Sequence, residues 1–256
     1  MHRFHLPPGE CRGDELILSG REAHHATQVL RLRRGEPVVV LDGAGERLRC
    51  EPVEMDRRRV LLRVLERVKV PPPAWRLLLI QAVPKGKLFD WIIQKATELG
   101  VSRIIPLLTE RTISELDPRA AVAKREKWRL IAVEAAKQCD APWLPEIDAP
   151  VSIDALIEDL PEADLHLAAL LDSRARHPRL CLEDHEKRTG HFPSSVGCWI
   201  GPEGDFTPAE ASRLIGKGIH PVTLGDRILR CETATLYCLS VLSHELRFRK
   251  DLNPSP

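Results

Sequence analysis

Apolar and polar positions change rhythm at Pro71-Pro72-Pro73. Before the three prolines, short apolar runs alternate with charge. Pro37–Leu41 (PVVVL) and Val60–Val68 read as strands, and Leu48–Val53 as a further strand. Arg21–Leu32 reads as a short helix, with Gly35 as its stop. Consecutive prolines continue neither a strand ladder nor a helix, and they hold the chain extended. They mark a joint between a small, mostly β domain over residues 1–70 and a second domain over 74–250.

After the joint, strands and helices alternate. Trp75–Val83 is a near-continuous apolar run, as expected of a strand buried on both faces. Lys87–Leu99 puts Leu88, Ile92, Ala96 and Leu99 on one helical face, with Gly100 as the stop. Arg103–Leu108 reads as a strand, and Arg119–Gln138 as a long helix with Trp128, Ile131 and Ala135 inward. Leu165–Leu171, Val196–Ile200 and Ile219–Leu224 are further strands, while polar His177–Ser194 reads as a mobile loop. Thr207-Pro208-Ala209-Glu210 is a capping box with proline at the first helical position. Thr233–Phe248 is the closing helix, with Leu236, Leu239, Leu242 and Leu246 inward. The alternation implies an α/β domain with a parallel sheet covered on both faces.

Composition narrows the classes. With 43% hydrophobic and 29% charged residues over 256 positions, the chain can bury a core as a soluble protein. No apolar run approaches the ~20 residues that span a bilayer, and MHRFHLPPGE has no signal-peptide core. The seven cysteines form no CxxC and no zinc spacing, which points to reduced thiols in a cytoplasm and to no metal. A net charge of +1 does not mark a nucleic-acid binder. Yet Arg31, Arg33 and Arg34, then Arg57 to Arg59, then Arg63, Arg67 and Lys69 crowd into the first seventy residues. They are either an RNA contact or a solvated rim balanced by Glu46, Glu51, Glu54 and Asp56. Aromatics at 4% argue against a base-stacking platform.

The chemistry gathers in two segments, IGPEGDF (Ile200–Phe206) and LGDRILRCETA (Leu224–Ala234). Each starts where an apolar run meets glycine and runs into a helix start, so main-chain amides can approach a ligand. The second adds Arg227, Arg230 and Glu232, enough charge to hold phosphate and to handle a proton.

Together with HHATQVLRLRRGE (His24–Glu36) and IQKATELGVSRIIPLLTERT (Ile93–Thr112), these blocks resemble, in order, the RsmE family of ribosomal RNA methyltransferases in the SPOUT superfamily. The resemblance spans almost the whole chain. It implies a PUA-like β-barrel domain, then a SPOUT domain whose C-terminal segment threads a trefoil knot over the parallel sheet. It implies S-adenosylmethionine as methyl donor, a homodimer with the site near the subunit interface, and N3-methylation of one uridine in the 16S RNA of the small ribosomal subunit. Two alternatives stand beside it: methylation of another RNA position such as a ribose 2′-OH, and a ribosome-assembly factor that binds RNA without chemistry.

The residues take expected roles on that basis. Gly201, Glu203, Gly204, Leu224, Gly225 and Ile228 are the cofactor-site candidates. Glu203 either meets the ligand or caps the helix after Thr207. Arg230 is assigned to the uridinate or its neighbouring phosphate, and Glu232 to proton handling or to orienting Arg230. The structural alternative is that Glu232 caps the last helix and Arg230 pairs with it. His24, His25, Arg31, Arg33, Arg34, Arg111 and Arg227 are the RNA-contact candidates. Three positions depart from the family pattern: Asp205 for glycine, Ala141 for arginine, and Cys231 for threonine.

Overall fold

The structure, a computed structural model, describes residues 1–112 and 117–252, the last four of these by backbone alone. Two compact units divide the chain: Met1–Pro72 with Val133–Leu144, and Pro73–Ala132 with the chain from Pro145 onward.

The first unit is built on β1 (His2–His5), β2 (Glu15–Ser19), β3 (Val38–Leu41), β4 (Glu46–Met55) and β5 (Arg59–Lys69). They form one mixed sheet in the order β1-β3-β4-β5-β2, with β1 parallel to β3 and the other pairs antiparallel. Leu48 and Cys50 of β4 turn into the core while their charged neighbours stay outside, the alternation of a half-buried strand. They meet Phe4, Leu16, Leu18, Val40, Val60 and Leu62 there. The strands β1 and β2 escape a sequence reading because each is short and buries one or two apolar residues, Phe4 in one and Leu16 and Leu18 in the other. The helix expected over 21–32 is shorter and in two pieces. Here α1 (Gly20–His24) widens into a single π turn over His25–Val29, and Arg31 takes a left-handed φ of 52°.

Three contacts hold residues 133–144 in this unit. The Trp143 indole N–H donates to the Val70 carbonyl at 3.2 Å. The Asp140 carboxylate pairs with Arg3 and Arg47, each at 2.9 Å. The Lys137 ammonium is buried and meets Glu22 at 2.8 Å and Glu134 at 3.1 Å, partners that a buried cation requires.

The second unit holds β6 (Arg76–Ala82), α2 (Leu88–Glu98), β7 (Arg103–Leu108), the first part of α3 (Pro118–Cys139), β8 (Glu146–Ile147), β9 (Val151–Ser152) and α4 (Ile153–Glu158). After these come β10 (Leu165–Ala169), α5 (Pro178–Thr189), β11 (Ser195–Ile200), α6 (Pro208–Gly216), β12 (His220–Val222) and α7 (Cys231–Leu252). Every strand pair is parallel, in the order β12-β10-β11-β6-β7-β8, with β9 also beside β7. The apolar run of β6 serves two cores. Leu77 and Leu79 pack with Phe89, Ile92 and Ala96 of α2 and Leu239 and Leu242 of α7. Leu78 and Ile80 face Leu156 of α4 and Leu214 of α6. Pro106, which has no N–H to donate, falls in the gap between β8 and β9, so the outer neighbour of β7 comes in two short pieces.

The segment His177–Ser194 is not the loop its polarity suggests. Residues 178–189 are α5, started by Pro178 after the His177 cap and stopped by Gly190 at φ 81°. Its buried face, Pro178, Cys181, Leu182 and His185, keeps helical spacing inside an otherwise charged stretch. The last helix starts two residues earlier than expected. Leu236 is half-buried, and Thr235 and Cys238 share the inner face with Leu239, Leu242 and Leu246.

One polar contact crosses a sheet face beneath the core. His166 pairs in register with Gly197, and its imidazole lies where a Cβ on Gly197 would collide with it. The ring thus reaches Trp199, whose indole N–H donates to Nδ1 at 3.1 Å, while Nε2 meets the Pro161 carbonyl at 2.9 Å. These partners select the neutral tautomer with its proton on Nε2. Burial holds the imidazole below its ordinary pKa and outweighs the opposing effect of the Pro161 carbonyl. The unfolded chain therefore takes up this proton first, so the contribution to stability is complete above about pH 6.5 and is lost as pH falls. The urea midpoint should drop on acidification below about pH 6.5. His166→Gln should flatten that dependence by up to about 1.4 kcal/mol per pH unit. His185 and His220, also depressed by burial, contribute to what remains.

Candidate active site

Parallel strands put all their carboxyl ends on one edge of the sheet, where ligands of open α/β folds bind. The loops leaving β10, β11 and β12 enclose a cavity of about 310 Å³ at that edge. Its walls are Ala169–Leu171, Gly201–Asp205 and a stretch from Thr223 to Leu229, backed by Cys231 and Ala234 from the first turn of α7. All six cofactor candidates, Gly201, Glu203, Gly204, Leu224, Gly225 and Ile228, line it. So does Arg227, which sequence reading grouped with RNA contacts.

The loop after β11 is held by side chains rather than by a ladder. Glu203 accepts the Lys85 main-chain N–H at 3.3 Å, so its carboxylate anchors the turn before α2. The cap of α6 belongs instead to Thr207 and Glu210, each bonded to the other's main chain. Glu210 is buried, and its other oxygen accepts the Glu110 N–H at 2.9 Å. Arg111 donates to the Gly204 carbonyl, which commits this RNA-contact candidate to the loop's main chain. Asp205 adopts φ 62°, and its two carboxylate oxygens accept from Phe206 N at 2.7 Å and Leu171 N at 3.1 Å. Gly201 is required by close approach: a Cβ there would lie 3.0 Å from the Asp205 carboxylate and 3.2 Å from the Phe206 nitrogen.

Behind the cavity runs a buried polar network. The side-chain amide of Gln81, fully buried in β6, donates to Cys231 Sγ at 3.0 Å, and its carbonyl accepts from the Thr235 hydroxyl at 2.6 Å. The Cys231 thiol in turn points to the Gly201 carbonyl at 3.4 Å. Burial pushes this thiol up to about 12, so it stays protonated and able to donate. A threonine hydroxyl would present the same donor and acceptor here.

Arg230 and Glu232 flank Cys231 in sequence but do not line the cavity. Arg230 is exposed and its carbonyl accepts the Ala234 N–H at 2.8 Å, at the start of α7. Glu232 is half-exposed in the first turn. Among the described residues no ion pair joins the two.

The remaining RNA candidates belong to the first unit. His24 is exposed; His25 is half-buried, edge-on to Phe4 with centroids 6.1 Å apart. Arg31, Arg33 and Arg34 are exposed around an open concavity with Gly35 and Glu36. Charge pairing separates them from their neighbours. Arg63 pairs with Glu51 and Arg67 with Glu46, a balanced rim, whereas Arg31, Arg33 and Arg34 have no ion-pair partner among the described residues. Ala141 follows Asp140 just after α3 and contributes no charge.

Sequence reading missed the Ala169–Leu171 wall, taken only as the end of a strand, and the Gln81–Thr235 support. The strand-end rule marks the first; the second rests on a contact across 154 positions, for which the sequence carries no signal.

Comparison with known proteins follows the same two parts. The RNA methyltransferase domain family matches residues 71–243, and the RNA methyltransferase PUA domain family matches residues 18–65. The chain is 34% identical to ribosomal RNA small subunit methyltransferase E of Synechocystis, over 94% of this chain and 77% of that one. It is 32% identical to the Bacillus subtilis protein of the same name, over 89% of each. A Neisseria gonorrhoeae ribosomal RNA small subunit methyltransferase E, solved bound to S-adenosyl methionine, superposes with a TM-score of 0.81 at 26% identity, covering 96% of this chain and 98% of that one.

Replacing Cys231 tests the back wall. Cys231→Thr should leave the urea midpoint nearly unchanged. Cys231→Val, similar in size but without a donor or acceptor, should cost about 1–3 kcal/mol by stranding the Gly201 carbonyl and one N–H of the Gln81 amide, whose other N–H keeps the Ala82 carbonyl.

Proposed function

We propose a specific role for this chain, which belongs to the RNA methyltransferase family: methylation of N3 of one uridine in the 16S RNA of the small ribosomal subunit. It is an S-adenosylmethionine-dependent 16S rRNA methyltransferase with a PUA-like first part and a SPOUT-type parallel sheet. The observation that carries the reading to these residues is the single cavity formed by both glycine-cornered segments at the strand ends.

That cavity fits the cofactor. At about 310 Å³ it falls in the range of small-molecule sites, about 300–1,000 Å³. Leu170, Leu224 and Ile228 offer apolar surface for an adenine, and the Glu203 carboxylate suits a donor of positive charge. When bound, S-adenosylmethionine supplies a methyl group on a positive sulfur, open to in-line displacement.

The chain's own residues then act on the base. Uridine N3 carries a proton and is a poor nucleophile until it leaves. The resulting uridinate spreads its charge over O2 and O4, which the rigid donors of Arg230 suit. Glu232, two residues on in the first turn of α7, takes or relays the proton. Both are reachable from solvent, as an arriving base demands. The uncompensated Arg31, Arg33 and Arg34 hold RNA phosphate. Leu171 and Ile228, 70% and 81% exposed at the cavity, support the homodimer with its site near the interface. The contacts of the first turn of α7 with β6 and the loop after β11 support a C-terminal segment threaded as a trefoil knot. No helix among the described residues is long and apolar enough to cross a membrane; a ribosomal substrate puts the enzyme in the cytoplasm.

Reverse transcription across 16S RNA from cells lacking this gene tests the base and position together. N3-methylation blocks Watson–Crick pairing, so one strong stop should vanish; loss of a ribose 2′-O signal instead would refute the assignment. In vitro, Arg230→Ala should lower methyl transfer to small subunits about 100-fold or more while S-adenosylmethionine affinity stays within about threefold. Changing Arg31, Arg33 and Arg34 together to Ala should reduce the slope of log affinity for RNA against log salt by about 2.

A further inference from the structure

We propose that Asp205 is a positioning residue: a latch by which the loop after β11 holds the Ala169–Leu171 segment in the shape that receives the cofactor. The proposal rests on the cofactor reading above and concerns a residue that reading leaves without a role.

The backbone at this position is left-handed, φ 62°, which glycine adopts without strain and most other residues do not. The position combines a conformation that suits glycine with a carboxylate. Both oxygens are used. One accepts the N–H of the next residue, Phe206, at 2.7 Å, which fixes the side chain's direction. The other accepts the N–H of Leu171 at 3.1 Å, from the loop after β10. Gly201 leaves the space the carboxylate occupies.

The Leu171 end of that bond has little else to hold it. Its side chain is 70% exposed, so packing does not place it. On one side Leu170 bonds to the sheet through its N–H to the Val222 carbonyl at 3.2 Å, and the chain next returns to it at Arg176, whose N–H donates to the Pro221 carbonyl at 3.2 Å. Ala169–Leu171 and Gly201–Asp205 are two walls of one cavity, and the Asp205 carboxylate is the hydrogen bond that joins them. A wall held before the ligand arrives spares the ligand the cost of ordering it.

Asp205→Gly tests this without endangering the fold, because glycine suits φ 62°. Thermal unfolding should be unchanged or slightly higher. Exchange of the Leu171 amide, followed by NMR, should speed up about tenfold while amides of β6 and β11 stay protected. By calorimetry, S-adenosylmethionine and S-adenosylhomocysteine should both bind about tenfold more weakly, with kcat at saturating cofactor within about twofold of wild type. Asp205→Asn, which tolerates the left-handed backbone and keeps one acceptor, should fall between. Unchanged affinity in Asp205→Gly overturns the latch. So does weakening confined to S-adenosylmethionine, which would mean that Asp205 acts by its charge on the sulfonium. Wild-type protein that binds neither ligand overturns the cofactor reading, and the latch with it.

Discussion

Main-chain N–H groups that leave a sheet edge must find acceptors, and here carboxylates of one short region provide them. Glu203 takes the N–H of Lys85, Asp205 that of Leu171, and Glu210 that of Glu110. Those donors follow β6, β10 and β7, so the loop and helix start after β11 gather the loops of three other strands. In the sheet the four run β10-β11-β6-β7, with β11 and β6 at the centre. A hydrogen bond to an ionised acceptor is roughly twice as strong as a neutral one, which suits loops that have no ladder of their own. The cavity exists because these loops are tied to one another and not only to the sheet.

Beneath that edge the sheet needs two apolar covers, and β6 supplies both by simple alternation, Leu77 and Leu79 to one side and Leu78 and Ile80 to the other. Gln81 ends the alternation. Fully buried, it would be a liability without partners; with Cys231 and Thr235 it fixes the first turn of α7 against the cavity. The network is satisfied throughout, and that is the condition under which buried polarity orders a structure instead of weakening it.

Elements with strong periodicity or capping chemistry were legible before any coordinates. The α2 face, the β7 strand and the Thr207–Glu210 box rest on neighbours within a few residues, so local rules suffice. The helix α5 was hidden because its buried residues, Cys181, Leu182 and His185, are diluted by arginines, lysines and acids on the outer face. Much of the cavity lining was legible as glycine corners at strand ends. The partners that Arg111 and Glu203 find, the Gly204 carbonyl and the Lys85 N–H, were hidden because they lie 93 and 118 positions away. Sequence spacing says nothing about such pairs; only the folded sheet brings them together.

Six of the seven cysteines lie inside the protein and one, Cys139, lies at its surface. Cys11 and Cys50 belong to the core of the first unit, with burial pushing both thiols up to about 12. Cys181, Cys198, Cys231 and Cys238 belong to the core of the second. A thiol-selective reagent at neutral pH would therefore tag the native molecule at one place and gain further places only as each half opens. Because the two halves carry different cysteines, the peptides labelled at increasing denaturant would report which half loosens first, with no engineered probe.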